Sequence, residues 1–492
     1  MNYARTVLRG AGVTLAFTLA AALVAYLTRL VLARHLTPAD FGLFYAVFTF
    51  VIFFLFFRDF GFDQALVKFI AEFKAKNKLD EVKTAIAAVF FWQLLASLLL
   101  GITFFFLSDY LALHYFKDPR AALLLQLLTL YIVGSVFFTV FKQALQGLQE
   151  IALFSSIELV KNILVLLLVI VFFWRGYAVF APAWAFVLVC FLLGLIYSFF
   201  FFTKFSFFRQ KTTAFMKISK DLFFFSIPIF ATAVGGKIIG YIDTLMLTYY
   251  RTLTEVGIYN VVLPSALIFL FFSRAINAVI FPISTELWVK KDMPRLRKGW
   301  DVLNRYTFIL LIPVLITLGY YARNLLGFFF GPEYMAGARA LQILLPGIAF
   351  LVIASANQNI LVGMGKPKLV TGMIIIAALL NVAINFYAIP AWGIEGAALA
   401  TLFSYLSMLI FSTVVITLAL QSSWPWKNWL LLILPAASYL GMLWLLERSL
   451  PLSAITGFVF SVLSASIVYV LLLFIFRLLV FKELYYYLHQ VR

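Results

Sequence analysis

Long apolar stretches alternate with short polar segments along almost the whole chain. A transmembrane helix needs about 20 consecutive, mostly apolar residues to cross the hydrocarbon core of a bilayer. By this criterion the pattern predicts about fourteen membrane-spanning helices. We expect the spans at residues 11–33, 41–60, 84–107, 121–141, 152–173, 178–202, 222–249, 256–281, 303–326, 338–362, 369–389, 393–418, 428–446 and 453–478.

Very short turns join two pairs of predicted spans. The fifth and sixth spans meet at Trp174–Tyr177, and the eleventh and twelfth meet at Pro390–Gly393. A merged pair at either place would lower the number of separate helices. The predicted fold class, an all-α polytopic membrane protein, is the same in both cases, because helices satisfy their own backbone hydrogen bonds within lipid.

The composition shows that lipid must cover this protein. Of the 492 residues, 64% are hydrophobic and only 12% are charged, whereas about 25% of the residues of a soluble domain are charged. No loop between the predicted spans exceeds about 25 residues. Since such loops leave no room for a soluble catalytic domain, we expect a carrier and not an enzyme.

The excess of basic residues indicates the orientation of the chain. The net charge is +18, with 38 Lys and Arg against 20 Asp and Glu. On a soluble protein this excess would suggest a nucleic-acid partner, but here the basic residues lie in short loops between apolar spans. Lys and Arg are retained in cytoplasmic loops, and most of them fall on one side if the N-terminus is cytoplasmic. We therefore expect a cell-membrane protein with both termini in the cytoplasm and no nucleic-acid partner.

The sequence offers no cofactor chemistry. It lacks the Gly-rich loop ending in Lys-Ser or Lys-Thr that binds nucleotide phosphates. The three histidines, His35, His114 and His489, are far apart near span ends, and Cys190 is the single cysteine. Zinc sites need several such ligands together, so we expect neither a cofactor nor a metal.

Two segments about 215 positions apart resemble each other. Thr37–Phe44 opens the second span and Thr252–Tyr259 opens the eighth, and both contain the order acidic, apolar, Gly, apolar, aromatic. Asp40 and Glu255 would each meet the positive end of a helix dipole; two ordinary helix starts are the alternative explanation. A duplication of six spans predicts parallel halves related by an axis along the membrane normal. We expect an N-terminal lobe at 1–203, a C-terminal lobe at 204–420, and two additional spans at 421–492.

Several motifs, in this order and spacing, carry a resemblance to a known family. They are Arg29–Phe44 (RLVLARHLTPADFGLF), Phe330-Gly331-Pro332-Glu333-Tyr334, Gly363-Met364-Gly365-Lys366-Pro367, Asn381 to Asn385, and Gly393-Ile394-Glu395-Gly396-Ala397-Ala398. With them the chain resembles the polysaccharide-export flippases (Wzx-type oligosaccharide transporters) of the multidrug/oligosaccharidyl-lipid/polysaccharide exporter superfamily. The resemblance extends from about residue 5 to 420.

The resemblance implies two six-helix lobes around a central cavity that opens alternately to either side. It also implies a polyprenyl- or dolichyl-diphosphate oligosaccharide as the cargo. The same superfamily contains drug/cation antiporters and peptidoglycan-precursor flippases, so the fold alone does not determine what is carried. We keep both as alternatives, and a membrane glycan polymerase or ligase as a more remote one.

Lys237 is the deepest basic residue within a predicted span. It lies about 16 residues into the seventh span, or about 24 Å at 1.5 Å per residue. Charged side chains at such depth are costly and tend to face cavities or partners. We expect Lys237 to face the cavity and to bind a diphosphate or acidic sugar; the alternative is an ion pair with an acid such as Asp243.

The other polar residues within spans form a wider set of candidates, each with a structural alternative. Arg274 and Asn277 could instead extend their side chains to the membrane surface. Arg58, Asp59 and Asp63 could lie at the membrane interface. Glu158 and Lys161 could pair with each other. Arg29 and Arg34 would receive the headgroup at the outer mouth or anchor their helix. Asn381 and Asn385 would make interhelical hydrogen bonds or contact sugar. The candidate cargo-binding residues are Lys237, Arg274, Arg29, Arg58, Lys161 and Asn277, and the candidate ion-coupling residues are Asp243, Glu158 and Asp63.

These basic residues favour an anionic cargo, because a cation site would favour unpaired carboxylates and aromatic rings. We therefore expect a flippase that moves a lipid-diphosphate-linked oligosaccharide across the cytoplasmic membrane by alternating access. The cargo and membrane lipids would be its ligands, and a gradient of Na⁺ or H⁺ would drive it. Glycosyltransferases or a glycan polymerase would be its functional partners, and the chain would act as a monomer.

Overall fold

The computed structural model describes residues 2–205, 211–424, 426–449 and 454–479, and these residues are almost entirely helical. The tail residues Lys482, His489 and Arg492 lie outside the described part. The predicted all-α membrane fold is confirmed. Twelve helices in the described ranges are long and apolar enough to cross a membrane, and two apolar helices are shorter.

Eight α-helices lie in the first half of the chain. Their bounds are α1 Asn2–His35, α2 Pro38–Asp59, α3 Phe62–Ala75, α4 Leu79–His114, α5 Arg120–Gly147, α6 Ile151–Trp174, α7 Ala181–Lys204 and α8 Phe215–Tyr250. A short 3₁₀ turn at Ala178–Phe180 precedes α7. The fifth and sixth predicted spans are therefore separate helices.

Eight further helices follow in the described second half. Their bounds are α9 Leu253–Leu267, α10 Leu270–Val289, α11 Met293–Tyr320, α12 Ala322–Phe329, α13 Ala338–Gly363, α14 Pro367–Leu420, α15 Trp426–Ser449 and α16 Ala454–Ile475. A 3₁₀ turn at Pro332–Gly337 precedes α13.

The helix count differs from the predicted span count at two places. α14 is 54 residues long and contains a non-helical residue, Gly393, with φ 55° and ψ −127°. A positive φ is easy for glycine, so the chain can turn here between the eleventh and twelfth predicted spans. The eighth predicted span is instead divided into α9 and α10, with Pro264 inside the first helix and Pro282 inside the second. With α14 as two spans and α9–α10 as one, about fourteen crossings result.

One helix was missed by the sequence pattern. The segment between the second and third predicted spans, treated as a basic loop, contains α3. This helix has only 14 residues and carries its buried residues, including Phe62, Leu66, Phe69 and Phe73, on one side. A helix this short cannot span a bilayer, so a search for long apolar segments does not find it.

The described chain divides into two compact units. The first contains Met1–Val261, Phe329–Glu333 and Asn385–Ile394, and the second contains Val262–Phe328, Tyr334–Ile384 and Glu395–Arg492. We call them unit 1 and unit 2. The lobe boundaries expected from the repeat, at 203 and 420, stay a prediction.

A buried polar network ties three helices of unit 2 together. Trp300 of α11 is fully buried, and its indole N–H donates to Asn357 Oδ1 of α13 at 2.9 Å. The amide of Asn357 donates in turn to Ser412 Oγ at 3.2 Å and to Thr413 Oγ1 at 3.3 Å, both on α14. Every link is satisfied, so the network fixes one packing of the three helices.

Asn357→Ala is expected to lower the free energy of unfolding by about 1–3 kcal/mol, because the buried Trp300 N–H and both hydroxyls lose their partner. Thermal unfolding of the detergent-purified protein measures this. Asn359→Ala is the matched control, since Asn359 is half-buried and its amide donates only to the Ser355 carbonyl. Equal melting temperatures for the two variants would contradict the prediction.

Candidate functional site

The two segments that the sequence aligns as a repeat begin their helices in the same way. Thr37 caps α2, where its hydroxyl oxygen accepts from the Asp40 N–H at 3.2 Å. Thr252 precedes α9 and accepts from the Glu255 N–H at 3.3 Å. A Thr cap followed three residues later by an acid satisfies free N–H groups at a helix start.

These two helix starts cross each other at Gly42 and Gly257. A Cβ atom on Gly42 would lie 1.8 Å from the Leu253 carbonyl oxygen, and one on Gly257 would lie 2.0 Å from the Pro38 carbonyl oxygen. The obstacles are backbone atoms, which cannot rotate away. Within unit 1 the backbones of α2 and α9 thus approach closely at this crossing, and a side chain at either glycine would clash with the other helix.

Ion pairs flank the crossing on both sides. Arg120 donates to Asp40 at 2.6 Å and to Asp118 at 2.8 Å, and Arg251 donates to Glu255 at 2.8 Å. The hydrogen bond from Arg120 holds the pKa of the Asp118 carboxyl below its usual value. The acids of the repeat are therefore held by arginines in this state.

Arg29 is placed beside the same crossing. Its guanidinium lies 4.3 Å from the centre of the Tyr45 ring and donates to the Asn260 carbonyl oxygen. The nearby Arg34 donates to the Phe329 carbonyl oxygen at 2.8 Å. Both arginines therefore make contacts within unit 1, and a role in receiving the headgroup stays a prediction.

Lys237 lies within α8, between two aromatic rings. Its ammonium nitrogen is 5.7 Å from the centre of Phe56 and 5.7 Å from that of Tyr241. The side chain is half-buried, and within the described residues no ion pair involves it. Cβ atoms added at the adjacent Gly236 and at Gly240 would meet nothing within 4 Å, so this stretch of α8 has open space beside it.

Asp243 lies further along α8, in a different setting. It is 2% exposed and accepts from the Tyr259 hydroxyl at 2.6 Å and from the Asn385 amide at 2.7 Å. Asn385 therefore makes an interhelical contact. Asp243 is a buried acid fixed by two donors, which suits an ion-binding role as well as a structural one.

Arg58, Asp59 and Asp63 form a polar group at the bend between α2 and α3, in the interior of unit 1. Arg58 is 6% exposed and donates to Ser135 Oγ at 2.7 Å. Asp59 and Asp63 accept hydrogen bonds from Gln93 of α4, and Asp63 also accepts from Gln143 of α5. Sequence reasoning missed both glutamines, although a single amide within an apolar span is a usable signal.

Glu158 and Lys161 pair with each other, as the structural alternative expected. Glu158 of α6 also accepts from Lys142 of α5 at 2.8 Å. One carboxylate thus balances two ammonium groups in a part-buried cluster of unit 1, which leaves one positive charge in excess.

Arg274 and Asn277 belong to α10, in unit 2. The Arg274 side chain is exposed. Asn277 donates to Ser355 Oγ of α13 at 2.7 Å and to Ser273 Oγ at 3.2 Å, so its amide joins two helices of the unit.

Unit 2 also contains a large apolar cavity of about 980 Å³. Side chains of α11, α13, the second part of α14, and α15 line it, among them Ile312, Leu345, Leu409, Leu432 and Ile433. Several rim residues, such as Ile433 at 59% exposure, lie at the surface that lipid would cover. Across the described residues no group of three or more His, Cys, Asp or Glu is placed to hold a metal ion.

Comparison with known proteins identifies the family. A family model described as polysaccharide biosynthesis protein matches residues 7–288, which is more than half of the chain. The chain belongs to this family. A second model, MatE, matches residues 228–387. The resemblance found from sequence motifs is thereby confirmed, and this chain is a membrane transporter of the superfamily that contains flippases and MATE proteins.

Two relatives are informative. The uncharacterized membrane protein MJ1068 of Methanocaldococcus jannaschii is 30% identical over 450 residues, which cover 88% of each chain. The probable low-salt glycan biosynthesis flippase Agl15 of Haloferax volcanii is 24% identical over 189 residues, or 38% of this chain and 40% of that protein.

Solved structures show the same fold. The lipid II flippase MurJ, in an inward closed conformation, superposes with a TM-score of 0.76 and 16% identity over 94% of this chain and 98% of that one. An inward-facing MATE family multidrug transporter of the MOP superfamily reaches a TM-score of 0.68 and 15% identity over 81% and 94%. This chain therefore has the fold of both classes of carrier.

Proposed function

We propose that this protein flips a lipid-diphosphate-linked oligosaccharide from the cytoplasmic to the outer leaflet of the cell membrane. The observation that carries the proposal is Lys237, a half-buried lysine deep in α8 with open space beside it. Among the described residues, its ammonium group contacts two aromatic rings and no carboxylate. An ammonium group without a carboxylate partner suits the phosphates of an anionic headgroup.

The apolar cavity of unit 2 supports a lipid-linked cargo over a free sugar. Its volume of about 980 Å³ and its aliphatic walls suit several isoprenoid units, and burial of apolar surface is the main source of affinity for such chains. The headgroup would then cross in a polar space while part of the polyprenyl chain contacts unit 2.

Both termini would lie in the cytoplasm, and glycosyltransferases would supply the cargo on that side. The gradient of an ion, Na⁺ or H⁺, would drive transport, with Asp243 as one candidate residue for binding that ion. No catalytic step is needed, because flipping breaks no covalent bond.

A reconstitution experiment tests the proposal. Proteoliposomes would contain a fluorescent polyprenyl-diphosphate oligosaccharide, and a glycosidase added outside would cleave only headgroups in the outer leaflet. We expect the protein to accelerate the loss of the protected fraction relative to liposomes without protein.

Efflux of a cationic dye from the same liposomes tests the drug-antiporter alternative, which the match to the MatE model favours. Dye transport without headgroup flipping would overturn the proposal. Flipping of a peptidoglycan precursor in preference to the oligosaccharide would change the cargo to that alternative.

A further inference from the structure

The bend between α2 and α3 brings two carboxylates onto one amide nitrogen. Phe60, with φ 47°, and Gly61, with φ 81°, turn the chain sharply, so that Asp59 ends α2 and Asp63 lies in the first turn of α3. Gln93 Nε2 donates to Asp59 Oδ1 at 3.0 Å and to Asp63 Oδ1 at 3.1 Å. Two acids that share one nitrogen repel each other strongly if both are ionised.

The surrounding charges do not balance this pair. Arg58 is the cation that acts electrostatically on both acids, but its guanidinium donates to Ser135 Oγ at 2.7 Å and to the Ile132 carbonyl at 3.3 Å. One guanidinium against two carboxylates leaves one negative charge in excess in an apolar bundle. Such a charge calls for a positive partner.

Among the described residues, Arg58 is the cation shown to act on these acids, and the neighbouring helices contribute mainly neutral groups. α4 contributes the neutral amide of Gln93, and α5 contributes Gln143, whose Nε2 donates to Asp63 Oδ2 at 3.1 Å. α5 also contributes the phenol of Tyr131, which acts on Arg58. From α8 the atoms nearest a Cβ added to Gly61 belong to Ser226, Ile229 and Phe230, which carry no charge. α8 also carries Lys237, whose ammonium nitrogen is 5.7 Å from the Phe56 ring of α2 and forms no ion pair among the described residues.

Gln93 is the buried group that joins the two acids. The Gln93 side chain is 0% exposed. Its amide nitrogen Nε2 contacts both acids, whereas its amide oxygen Oε1 is buried with no hydrogen-bond partner among the described residues. An ionised carboxylate can only accept hydrogen bonds, whereas a protonated carboxyl can donate one. A proton on one acid therefore removes the excess negative charge and makes that carboxyl a donor, while Gln93 Nε2 keeps its contacts to both acids.

We propose that Asp59 and Asp63, which Gln93 joins, together bind one proton, and that this site in unit 1 couples proton movement to transport. A proton fits better than a metal ion, because N–H groups of Gln93, Gln143 and the Asp63 backbone already donate to three of the four carboxylate oxygens of Asp59 and Asp63. Asp59 and Asp63 are only partly buried, so the proton can reach them. The coupling role rests on the proposed transport function, but proton binding itself does not.

Infrared titration of the purified full-length protein tests proton binding without any cargo. An unperturbed Asp is ionised well below pH 7. We expect the wild-type protein to show a protonated carboxyl band at pH 7 that D59N and D63N each remove. Asp221→Asn is the control, because Asp221 is exposed on α8 and its replacement should leave the band unchanged.

Two results would overturn the proposal. One is the absence of any carboxyl band at pH 7 that depends on Asp59 and Asp63 in a folded protein. The other is a band that disappears on addition of Na⁺ at constant pH, which would make the site a sodium site. Size-exclusion profiles establish folding, and D59E supplies a second variant that keeps the carboxyl group if D59N fails to fold. If the protein shows the carboxyl band but does not flip glycan, the proposed transport function fails and the proton site is still supported.

Discussion

Gly257→Ala is expected to reduce transport about tenfold or more. The added Cβ would lie 2.0 Å from the Pro38 carbonyl oxygen, and overpacking costs about 1–3 kcal/mol even where side chains can adjust. Because backbone atoms are the obstacle here, α2 and α9 must separate. A cost of about 1.4 kcal/mol already lowers the population of the packed state tenfold. A carrier that rarely reaches the packed state completes its transport cycle more slowly.

The distance between α2 and α9 can be measured with spin labels at the exposed Thr37 and Thr254. The labelled protein carries serine in place of Cys190. We expect a longer distance in Gly257→Ala and Gly42→Ala than in the parent. Gly441→Ala is the control, since Gly441 is also within a helix but has nothing within 4 Å of an added Cβ. Unchanged distances and transport rates in Gly257→Ala would show that the crossing is not part of the cycle.

Lys237→Ala is expected to lower the initial rate of headgroup flipping about 10- to 100-fold, because a hydrogen bond to a charged group contributes about 1.5–3 kcal/mol. Lys237→Glu should lower the rate at least as far, since it repels an anionic headgroup. The glycosidase-protection rate in proteoliposomes measures both effects.

Lys220→Ala is the matched control for this experiment. Lys220 lies on the same helix and also contacts an aromatic ring, Phe224, but it is exposed near the start of α8. We expect it to flip cargo at the parental rate. If Lys237→Ala also does so, the oligosaccharide assignment fails while the fold and family remain.

Much of the fold could be predicted because the bilayer imposes one length on every crossing. The apolar pattern located nearly every long helix, although several helices extend five to ten residues beyond the predicted span, as α11 does at Met293 against a predicted start at 303. The turn around Pro390–Gly393 was recognised as the place where two spans could merge. α3 was missed because its 14 residues fall below that length. The break between α9 and α10 was also missed, because hydropathy does not record where a helix is interrupted.

The candidate site was only partly accessible to sequence reasoning. A charged residue in an apolar span is costly, so Lys237, Asp243 and Arg58 were found from their positions alone. Their partners were not, because helical periodicity indicates the face of a residue but not the neighbouring helix. The sharing of Gln93 by Asp59 and Asp63 is a contact of this kind, as is the anchoring of Arg29 by Tyr45 and Asn260.

By itself the sequence determined that this is a multi-pass α-helical membrane protein of a transporter family, because apolar length and motif order are local properties of the chain. Only the tertiary structure decided which polar residues meet. Gly42 and Gly257 illustrate the difference: their equivalence was visible in the sequence, but their contact was not. The physical reason is that such a contact depends on the packing of helices more than 200 residues apart, which no local pattern records.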